Sequence, residues 1–397
     1  MPVLDHAIFW HVYPLGATGA PIRDWSTGDE AHRLPRLINW LDHLIELGCN
    51  GLLLAPVFAS STHGYDTLDH FRIDPRLGDD ADFDRLIAAC RERGIEVLLD
   101  GVFNHVGIHH PMVGDGGPVR RLPDGRPEPW EGHGDLALLD HDDPRTAELV
   151  VDVMNHWLDR GIAGWRLDVA YSVPTWFWAQ VVGRVRQRHP DAVFLGEIIH
   201  GDYAALITEG HLDTVTQYEL WKAIWSSIKD VNFHELAHAL GRHREFMAAG
   251  PMQTFVGNHD VDRIASTVGD EGAALAAVLL LTLPGVPSIY YGDEQAFRGV
   301  KGTGFATDDP IRPALPETPA VLSLPAAAMF ELHRELIALR RRHPWLTRGQ
   351  VEVLDTTNET IRYAVTGGGH RLEATLTSAP ASVELVFDDG ERFAAQW

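Results

Sequence analysis

Three carboxylates stand where short apolar runs of the sequence end. Asp168 lies in GWRLDV, Glu197 follows FLG, and Asp260 ends FVGNHD. A fourth run of this kind, DGVFNH, ends in His105. One ionised and one protonated carboxyl group form the pair that cleaves a glycosidic bond with retention, and a third carboxylate favours an oxocarbenium-like transition state. The residue types therefore predict nucleophilic and acid–base chemistry on a sugar acetal.

The neighbours of these acids fit that chemistry. Arg166 and Asp168 are two positions apart on a predicted strand, so their side chains point to the same face. A cation there favours the ionised form of Asp168 that a nucleophile needs. The apolar residues before Glu197 favour the protonated form of a general acid. His105 and His259 carry donors for sugar hydroxyls. Each residue alone is equally typical of a helix cap, a structural ion pair or a surface histidine, but their order on successive strand ends favours the functional interpretation.

Alternating apolar and amphipathic stretches predict the elements that position these residues. The apolar runs lack polar alternation, as parallel strands buried on both faces do. We therefore expect an α/β fold, a (β/α)8 TIM barrel, whose catalytic residues lie at the C-terminal ends of the strands. The predicted strands cover residues 8–13, 51–54, 96–99, 164–167, 193–196, 214–216, 252–256 and 288–290. The predicted helices include 34–47, 82–93, 145–160, 175–189, 273–283 and 326–342.

Two long segments interrupt the alternation and a third follows it. Residues 106–143 form a short insertion after the third strand, with no clear element except around 135–139, and residues 292–325 form a loop after the eighth. Long loops of this kind are usually functional. We expect residues 1–343 to form the catalytic barrel. Residues 344–397, with the alternating IRYAVT, RLEATLT and SVELVF, predict a small C-terminal antiparallel β domain, sandwich-like in form.

Composition and charge limit the classes of binding partner and the cellular compartment that we expect. A formal net charge of −23 argues against a nucleic acid or an anionic membrane as partner. Cys49 and Cys90 lie in apolar contexts, which predicts buried free thiols. The beginning MPVLDHAIFWHVYP has no signal-peptide pattern, and we expect no apolar run of membrane-spanning length, so a cytoplasmic location is predicted. The sequence leaves the oligomeric state open.

The four motifs, in this order, resemble the α-amylase family of retaining glycoside hydrolases and transglycosidases, from residue 8 to about residue 342. The resemblance implies that Asp168 is the nucleophile, Glu197 the acid/base and Asp260 the transition-state stabiliser. It also implies an oligosaccharide substrate. The remaining residues that it assigns to the subsite of the attacked glucose are Arg166, His105 and His259.

Two further segments are similar to segments of the same family. In HGYDTLDHFRIDP the resemblance implies that Tyr65 stacks on the attacked glucose and that His63 and Asp66 help to position it. In DDPIRP, Asp309 and Arg312 are candidates for binding substrate, although a salt bridge within the loop explains them equally well.

The residues of these motifs are most similar to those of neopullulanases, cyclomaltodextrinases and maltogenic amylases. That likeness implies hydrolysis of short α-1,4-glucans or cyclodextrins, with α-1,6 links sometimes accepted. We expect no N-terminal extra domain, a reduced insertion and a reduced C-terminal domain. The alternatives are an α-glucosidase, a transglucosylase or a trehalose synthase-like isomerase on the same site, and an inactive sugar-binding homologue. The insertion and the loop after the eighth strand carry aromatic or planar groups that could stack on sugars, namely Trp130, His133, Phe297, Phe305 and Arg312. We therefore expect a preference for oligosaccharides of about two to four units.

Many relatives bind structural calcium, but the sequence does not favour a calcium site here. Asn104 matches a calcium-binding position of the family, but Ser172 stands where those relatives have a companion histidine. Calcium takes six to eight oxygen ligands, and the short insertion offers few. We expect no calcium at Asn104 and no other cofactor, with Asp115, Asp124 and Asp135 as the acids that could build a different site.

Overall fold

The computed structural model describes residues 3–23, 25, 31–114, 116–304, 306–319 and 324–397. Asp115 and Phe305 lie outside these residues. The strands are β1 Phe9–Val12, β2 Gly51–Leu54, β3 Phe58–Ser60, β4 Thr67–Ile73, β5 Glu96–Gly101, β6 His105–Gly107, β7 Pro129–Trp130, β8 His133–Leu138, β9 Gly164–Leu167, β10 Val193–Gly196, β11 Thr214–Val215, β12 Gln253–Phe255, β13 Val286–Tyr290, β14 Gln350–Thr356, β15 Thr360–Gly367, β16 His370–Ser378, β17 Ala381–Phe387 and β18 Arg392–Gln396. The helices are α1 Pro14–Ala17, α2 Leu41–Leu47, α3 Asp80–Glu92, α4 Pro144–Asp159, α5 Thr175–Arg186, α6 Tyr203–Thr208, α7 Tyr218–Lys229, α8 Phe233–Met247, α9 Ile264–Thr282 and α10 Leu324–Arg342.

Eight parallel strands form the predicted barrel. Their order around the sheet is β11-β10-β9-β5-β2-β1-β13-β12. A parallel bridge between Thr216 and Gln253 joins the two ends of this sheet and closes it. Nearly every residue of these strands is buried, as the lack of polar alternation predicts. The (β/α)8 fold is therefore confirmed.

The helices differ from the prediction mainly between β11 and β12. That crossover holds two helices, α7 and α8, where the sequence analysis assigned none. Helix α7 buries Leu220, Ile224 and Ile228, which are spaced four apart along one face. The second difference is that the first half of the predicted helix 34–47 is a 3₁₀ helix, Leu34–Trp40.

Helix α9 corrects the expectation about apolar runs. By length and composition it is the one helix among the described residues that could span a membrane. Its most apolar window is 67% buried inside the protein, which is typical of a core helix. It lies against α7 and α10.

The insertion after the third barrel strand is ordered, contrary to the expectation of one element at most. Strands β6, β8 and β7 pair in that order as a small antiparallel sheet. The turn between β7 and β8 has Glu131 at φ 46° and Gly132 at φ 82°, two positive values of the kind that tight hairpins require. Interspersed glycine and proline hid the alternation of these short strands.

The C-terminal segment is one five-stranded antiparallel sheet, in the order β14 to β18. The sandwich-like description is wrong, because the second layer is made by helices of the barrel and not by another sheet. Strand β14 lies against α8 and β17 against α9. The hydroxyls of Tyr363 and Thr282 are 2.6 Å apart across this contact. The sheet and the barrel therefore share one hydrophobic core.

Candidate active site

The three predicted acids lie together at the C-terminal end of the barrel. Asp168 directly follows β9, Glu197 directly follows β10, and Asp260 lies five residues beyond the end of β12. All three line a cavity of about 500 Å³, which we call the first cavity. Its other lining residues include His63, Tyr65, His105, Trp130, Glu131, His133, Asp135, Tyr171, Ile199, Tyr218, Trp221, Val261 and Lys301.

One guanidinium group joins the acids at the bottom of this cavity. Arg166 Nη1 lies 2.5 Å from Asp100 Oδ2 and 3.3 Å from Asp168 Oδ1, and Nη2 lies 2.6 Å from Glu197 Oε1. All four side chains are buried. We call Asp100, Asp168 and Glu197 around Arg166 the carboxylate cluster. The predicted contact between Arg166 and Asp168 exists, but it is the longest of the three.

Burial governs the charge of this cluster. It raises the pKa of Asp168 well above its ordinary value, the nearby charge of Glu197 raises it further, and Arg166 only opposes these effects. Burial also raises the pKa of Asp100 to about 6. Arg166 is shared among three buried acids, so it opposes the effect of burial on Asp168 only in part. The ionised form of Asp168 that a nucleophile needs stays a prediction.

Glu197 is fixed by two further donors. The backbone N–H of Val169 donates to Oε2 at 3.0 Å, and the Tyr218 hydroxyl donates to Oε1 at 3.2 Å. Val169 has φ 40°, a left-handed conformation that is rare for a β-branched residue and that clusters at functional sites. The strained turn after β9 thus points a backbone donor at Glu197.

Asp260 is more open than the cluster, with 35% of its side chain exposed. Its Oδ1 accepts a hydrogen bond from Arg312 Nη2 at 3.0 Å, and its Oδ2 lies 3.0 Å from His259 Nε2. Arg312 Nε also donates to the backbone oxygen of His259 at 2.8 Å. The buried Arg312 therefore holds both residues, although it is not among the residues that line the cavity.

Aromatic and imidazole rings lie next to these acids. Tyr65, His105 and Trp130 line the cavity, whereas the predicted residue His259 is buried and does not line it. The Tyr65 hydroxyl donates to Asp100 Oδ2 at 2.9 Å and contacts His259 Nε2, and the two rings stack with centroids 5.5 Å apart. His105 stacks against Trp130 with centroids 6.0 Å apart. Burial lowers the pKa of His105 to about 3 and that of His259 well below its usual value, so both rings are neutral.

Of the other three predicted residues, one lines the cavity and two do not. His63 lines the cavity, and its Nδ1 accepts a hydrogen bond from the backbone N–H of Tyr65 at 3.2 Å. Asp66 does not line the cavity and accepts from the Thr62 hydroxyl at 2.7 Å. Asp309 also does not line the cavity, and its carboxylate pairs with Arg23 at 2.6 Å. A salt bridge therefore accounts for Asp309, which was the alternative to substrate binding.

Several residues of the site were not predicted. Asp100 begins DGVFNH and ends an apolar strand as the other acids do, so the same signal could have found it. Tyr218 and Trp221 lie on α7, in the crossover for which no helix was assigned. Val261 and Lys301 lie on loops whose shape no local pattern encodes.

Among the described residues, few side chains near this site are available as metal ligands. The amide nitrogen of Asn104 lies 3.1 Å from His105 Nδ1, so it orients that ring. Of the acids named for another site, Asp135 lines the cavity and Asp124 pairs with Arg126. Two groups elsewhere have the spacing of a metal site, around Asp82 and Glu391, but each of these acids is paired with an arginine.

The chain is similar to a known protein family and to several characterised enzymes. The pattern of the alpha amylase catalytic domain matches residues 24–115 and 132–323. Neopullulanase 2 from Thermoactinomyces vulgaris is 32% identical over 83% of this chain and 59% of its own length. An intracellular maltogenic amylase from Bacillus subtilis (strain 168) is 28% identical over 89% of this chain and 62% of its own length. The chain thus spans about six tenths of these two relatives.

A solved structure matches the chain over nearly its whole length. It is the cyclic alpha-maltosyl-(1→6)-maltose hydrolase from Arthrobacter globiformis in complex with cyclic alpha-maltosyl-(1→6)-maltose. The two share 26% identity with a TM-score of 0.81, and the match covers 99% of each chain. The barrel, the four strand-end motifs and these matches agree, and the chain belongs to the α-amylase catalytic-domain family.

Proposed function

We propose that the protein hydrolyses α-glucosidic bonds of short α-1,4-glucans, either maltooligosaccharides or cyclodextrins, with retention of configuration. An α-1,6 link is accepted in the same site. The observation that carries this proposal is that Asp168 and Glu197 contact the same guanidinium at the bottom of one cavity, with Asp260 on its wall. The arrangement supplies two acids on one cation and a third, partly exposed acid that Arg312 holds at the wall of the cavity.

In this proposal the reaction takes two steps. Asp168 attacks the anomeric carbon while Glu197 gives its proton to the departing glycosidic oxygen, which forms a glycosyl-enzyme ester and releases the leaving-group sugar. Glu197 then removes a proton from water, and the water oxygen attacks the anomeric carbon and displaces Asp168. The first step thus requires a proton on Glu197 and an ionised Asp168.

The remaining residues act on the sugar ring in this proposal. Asp260 accepts hydrogen bonds from ring hydroxyls and favours the positive charge that develops at the anomeric carbon. Tyr65 stacks on the attacked glucose, and the neutral His105 and His259 bind its hydroxyls without adding a positive charge. Arg166 and Arg312 position the acids, and His63 supports Tyr65.

We propose a preference for oligosaccharides of about two to four glucose units. The support is the cavity volume of about 500 Å³ and the hairpin of β7 and β8, whose Trp130, Glu131 and His133 stand at the wall of the cavity. No metal or other cofactor has a role in this mechanism. A cytoplasmic location is supported by the name of the Bacillus subtilis relative, an intracellular enzyme.

A chromatographic screen of maltose, maltotriose, isomaltose, pullulan, cyclodextrin and trehalose tests the proposal. We expect glucose and maltose from maltotriose or cyclodextrin, with no product from trehalose. Longer oligosaccharides formed from concentrated maltose would make the protein a transglucosylase, and trehalose formed from maltose would make it an isomerase. Consumption of none of the six would leave the inactive sugar-binding homologue.

A further inference from the structure

His11 is a polar residue at a position that barrels of this kind normally fill with an apolar side chain. It lies on β1, is only 4% exposed, and lines a small cavity inside the barrel together with Leu53 and Arg166. Its neighbour Trp10 stacks against Trp40 of the surrounding helices, with ring centroids 6.0 Å apart, so the alternation of the strand points His11 inward. Bulky branched residues dominate such interiors, and a buried polar group among them needs a hydrogen-bond partner.

The partner of His11 is the buried His259. His11 Nε2 lies 3.3 Å from His259 Nδ1, and the two ring planes are 85° apart with centroids separated by 5.1 Å. The other nitrogen of His259 contacts two residues that line the first cavity. Its Nε2 lies 3.0 Å from Asp260 Oδ2 and also contacts the Tyr65 hydroxyl. His259 therefore connects His11, inside the barrel, to two side chains on the wall of the active site.

The partners of His259 decide which of its two nitrogens carries the hydrogen. The Tyr65 hydroxyl donates its one hydrogen to Asp100 Oδ2 at 2.9 Å, so the Tyr65 oxygen is an acceptor for His259. The carboxylate oxygen of Asp260 is a second acceptor, and Nε2 therefore carries the hydrogen. Burial lowers the pKa of His259 well below its ordinary value, so the ring is neutral and Nδ1 carries no hydrogen.

His11 is consequently the donor between the two rings. The bare Nδ1 of His259 can only accept, so the hydrogen lies on His11 Nε2. Burial also lowers the pKa of His11 well below its ordinary value, which leaves that ring neutral with a single hydrogen. A hydrogen on Nδ1 of His259 would collide with this N–H. The contact thus favours one tautomer of His259 and disfavours the imidazolium form, whose positive charge would lie beside Asp260.

We propose that His11 is a positioning residue, which holds His259 in the tautomer that presents its Nε2–H to Asp260 and Tyr65. The inference rests on the proposed function for the roles of Asp260 and Tyr65, and it adds a residue of β1 that does not line the first cavity. Because Asp260 acts on the charge of the transition state, loss of the contact should lower kcat and leave KM nearly unchanged.

Kinetics with maltotriose test this role through two substitutions. His11→Leu removes the donor but fills the space, and we expect kcat to fall about tenfold while KM changes less than about twofold. His11→Gln keeps an N–H donor and should retain kcat within about threefold of the wild type. His243→Leu is the matched control, because His243 is also buried but donates to the backbone oxygen of Pro284 at 3.0 Å and does not line the cavity. It should lower stability without lowering kcat.

Nitrogen NMR tests the tautomer without a substrate. With isotope-labelled histidine, and His259→Ala to identify the signals, the wild type should show a hydrogen on Nε2 of His259 and none on Nδ1. The Nδ1 signal should move in His11→Leu and return in His11→Gln.

Three results would overturn the inference: a hydrogen on Nδ1 of His259 in the wild type, equal changes of kcat in His11→Leu and His243→Leu, or no recovery of kcat in His11→Gln. A wild type that shows the expected tautomer but hydrolyses no α-glucoside would support the tautomer and overturn the proposed function alone.

Discussion

Two regions at the barrel mouth differ in how firmly their side chains are held. In the first cavity, the carboxylate cluster is buried and each acid contacts Arg166. In the region beside Asp260, Trp221 and Trp225 are half-buried and Val300 is largely exposed. The carboxylate cluster thus lies on strand ends that the barrel core fixes, and the neighbouring surface lies on a helix and a loop, where sequence varies more readily.

The largest effect should follow from removing the proposed nucleophile. For Asp168→Ala we expect a loss of kcat of about 10⁴-fold or more on an unactivated α-glucoside, because no glycosyl-enzyme can form. Asp309→Ala is the control, since Asp309 pairs with Arg23 outside the cavity and its replacement should leave kcat nearly unchanged. Near-wild-type turnover by Asp168→Ala would end the assignment.

The next effect separates the general acid from the rest of the cluster. Glu197→Gln should lower kcat by about 10²–10⁴-fold with maltotriose, whose leaving group needs a proton. With α-maltosyl fluoride the loss in the first step should be much smaller, because fluoride departs without one. Steady-state and burst kinetics with both substrates measure the difference. An equal loss in the first step would mean that Glu197 does not act as the acid.

The burial of the cluster predicts a pH dependence of stability. The pKa of Asp100 is raised from 3.8 to about 6 in the folded protein, so the folded state binds more protons than the unfolded state between these values. Its contribution is present below about pH 4 and is lost as the pH rises through about 6. Between pH 4 and pH 7 the wild type should lose up to about 3 kcal/mol more in free energy of unfolding than Asp100→Asn. Urea unfolding at both pH values measures this, and a wild type that loses no more than the variant would contradict it.

The smallest effect concerns the length of the substrate. A cavity of about 500 Å³ has room for a short oligosaccharide and is not a long groove for a polymer. We expect kcat/KM per cleavable bond to be higher for maltotriose than for soluble starch. A tenfold advantage for starch would show that the cleft accepts a polymer.

Most of the barrel could be predicted because its strands are buried on both faces. The predicted runs 51–54, 164–167 and 193–196 coincide with β2, β9 and β10, and the last two directly precede Asp168 and Glu197. The same logic extends to Asp100, the penultimate residue of β5. Strand ends meet by the geometry of the fold, so local sequence was sufficient there.

The features of the fold and the site that could not be predicted depend on contacts between segments that are distant in the sequence. Nothing near Arg166 in the sequence indicates that its charge is divided among Asp100, Asp168 and Glu197, or that burial of this cluster raises the pKa of Asp168. Helix α7 has a clear apolar period, but an eight-stranded barrel with one helix per crossover gave no reason to look for two. The second layer of the C-terminal sheet is likewise supplied by α8 and α9, which belong to an earlier part of the sequence.

The stereochemistry of the first product tests the central claim most directly. Proton NMR of maltotriose hydrolysis, recorded before mutarotation, distinguishes the two anomers of the newly formed reducing end. The account predicts that the α anomer forms first, because Asp168 and Glu197 act in two successive displacements at the same carbon. Initial accumulation of the β anomer would show a single displacement by water and would contradict the assignment of Asp168 as nucleophile.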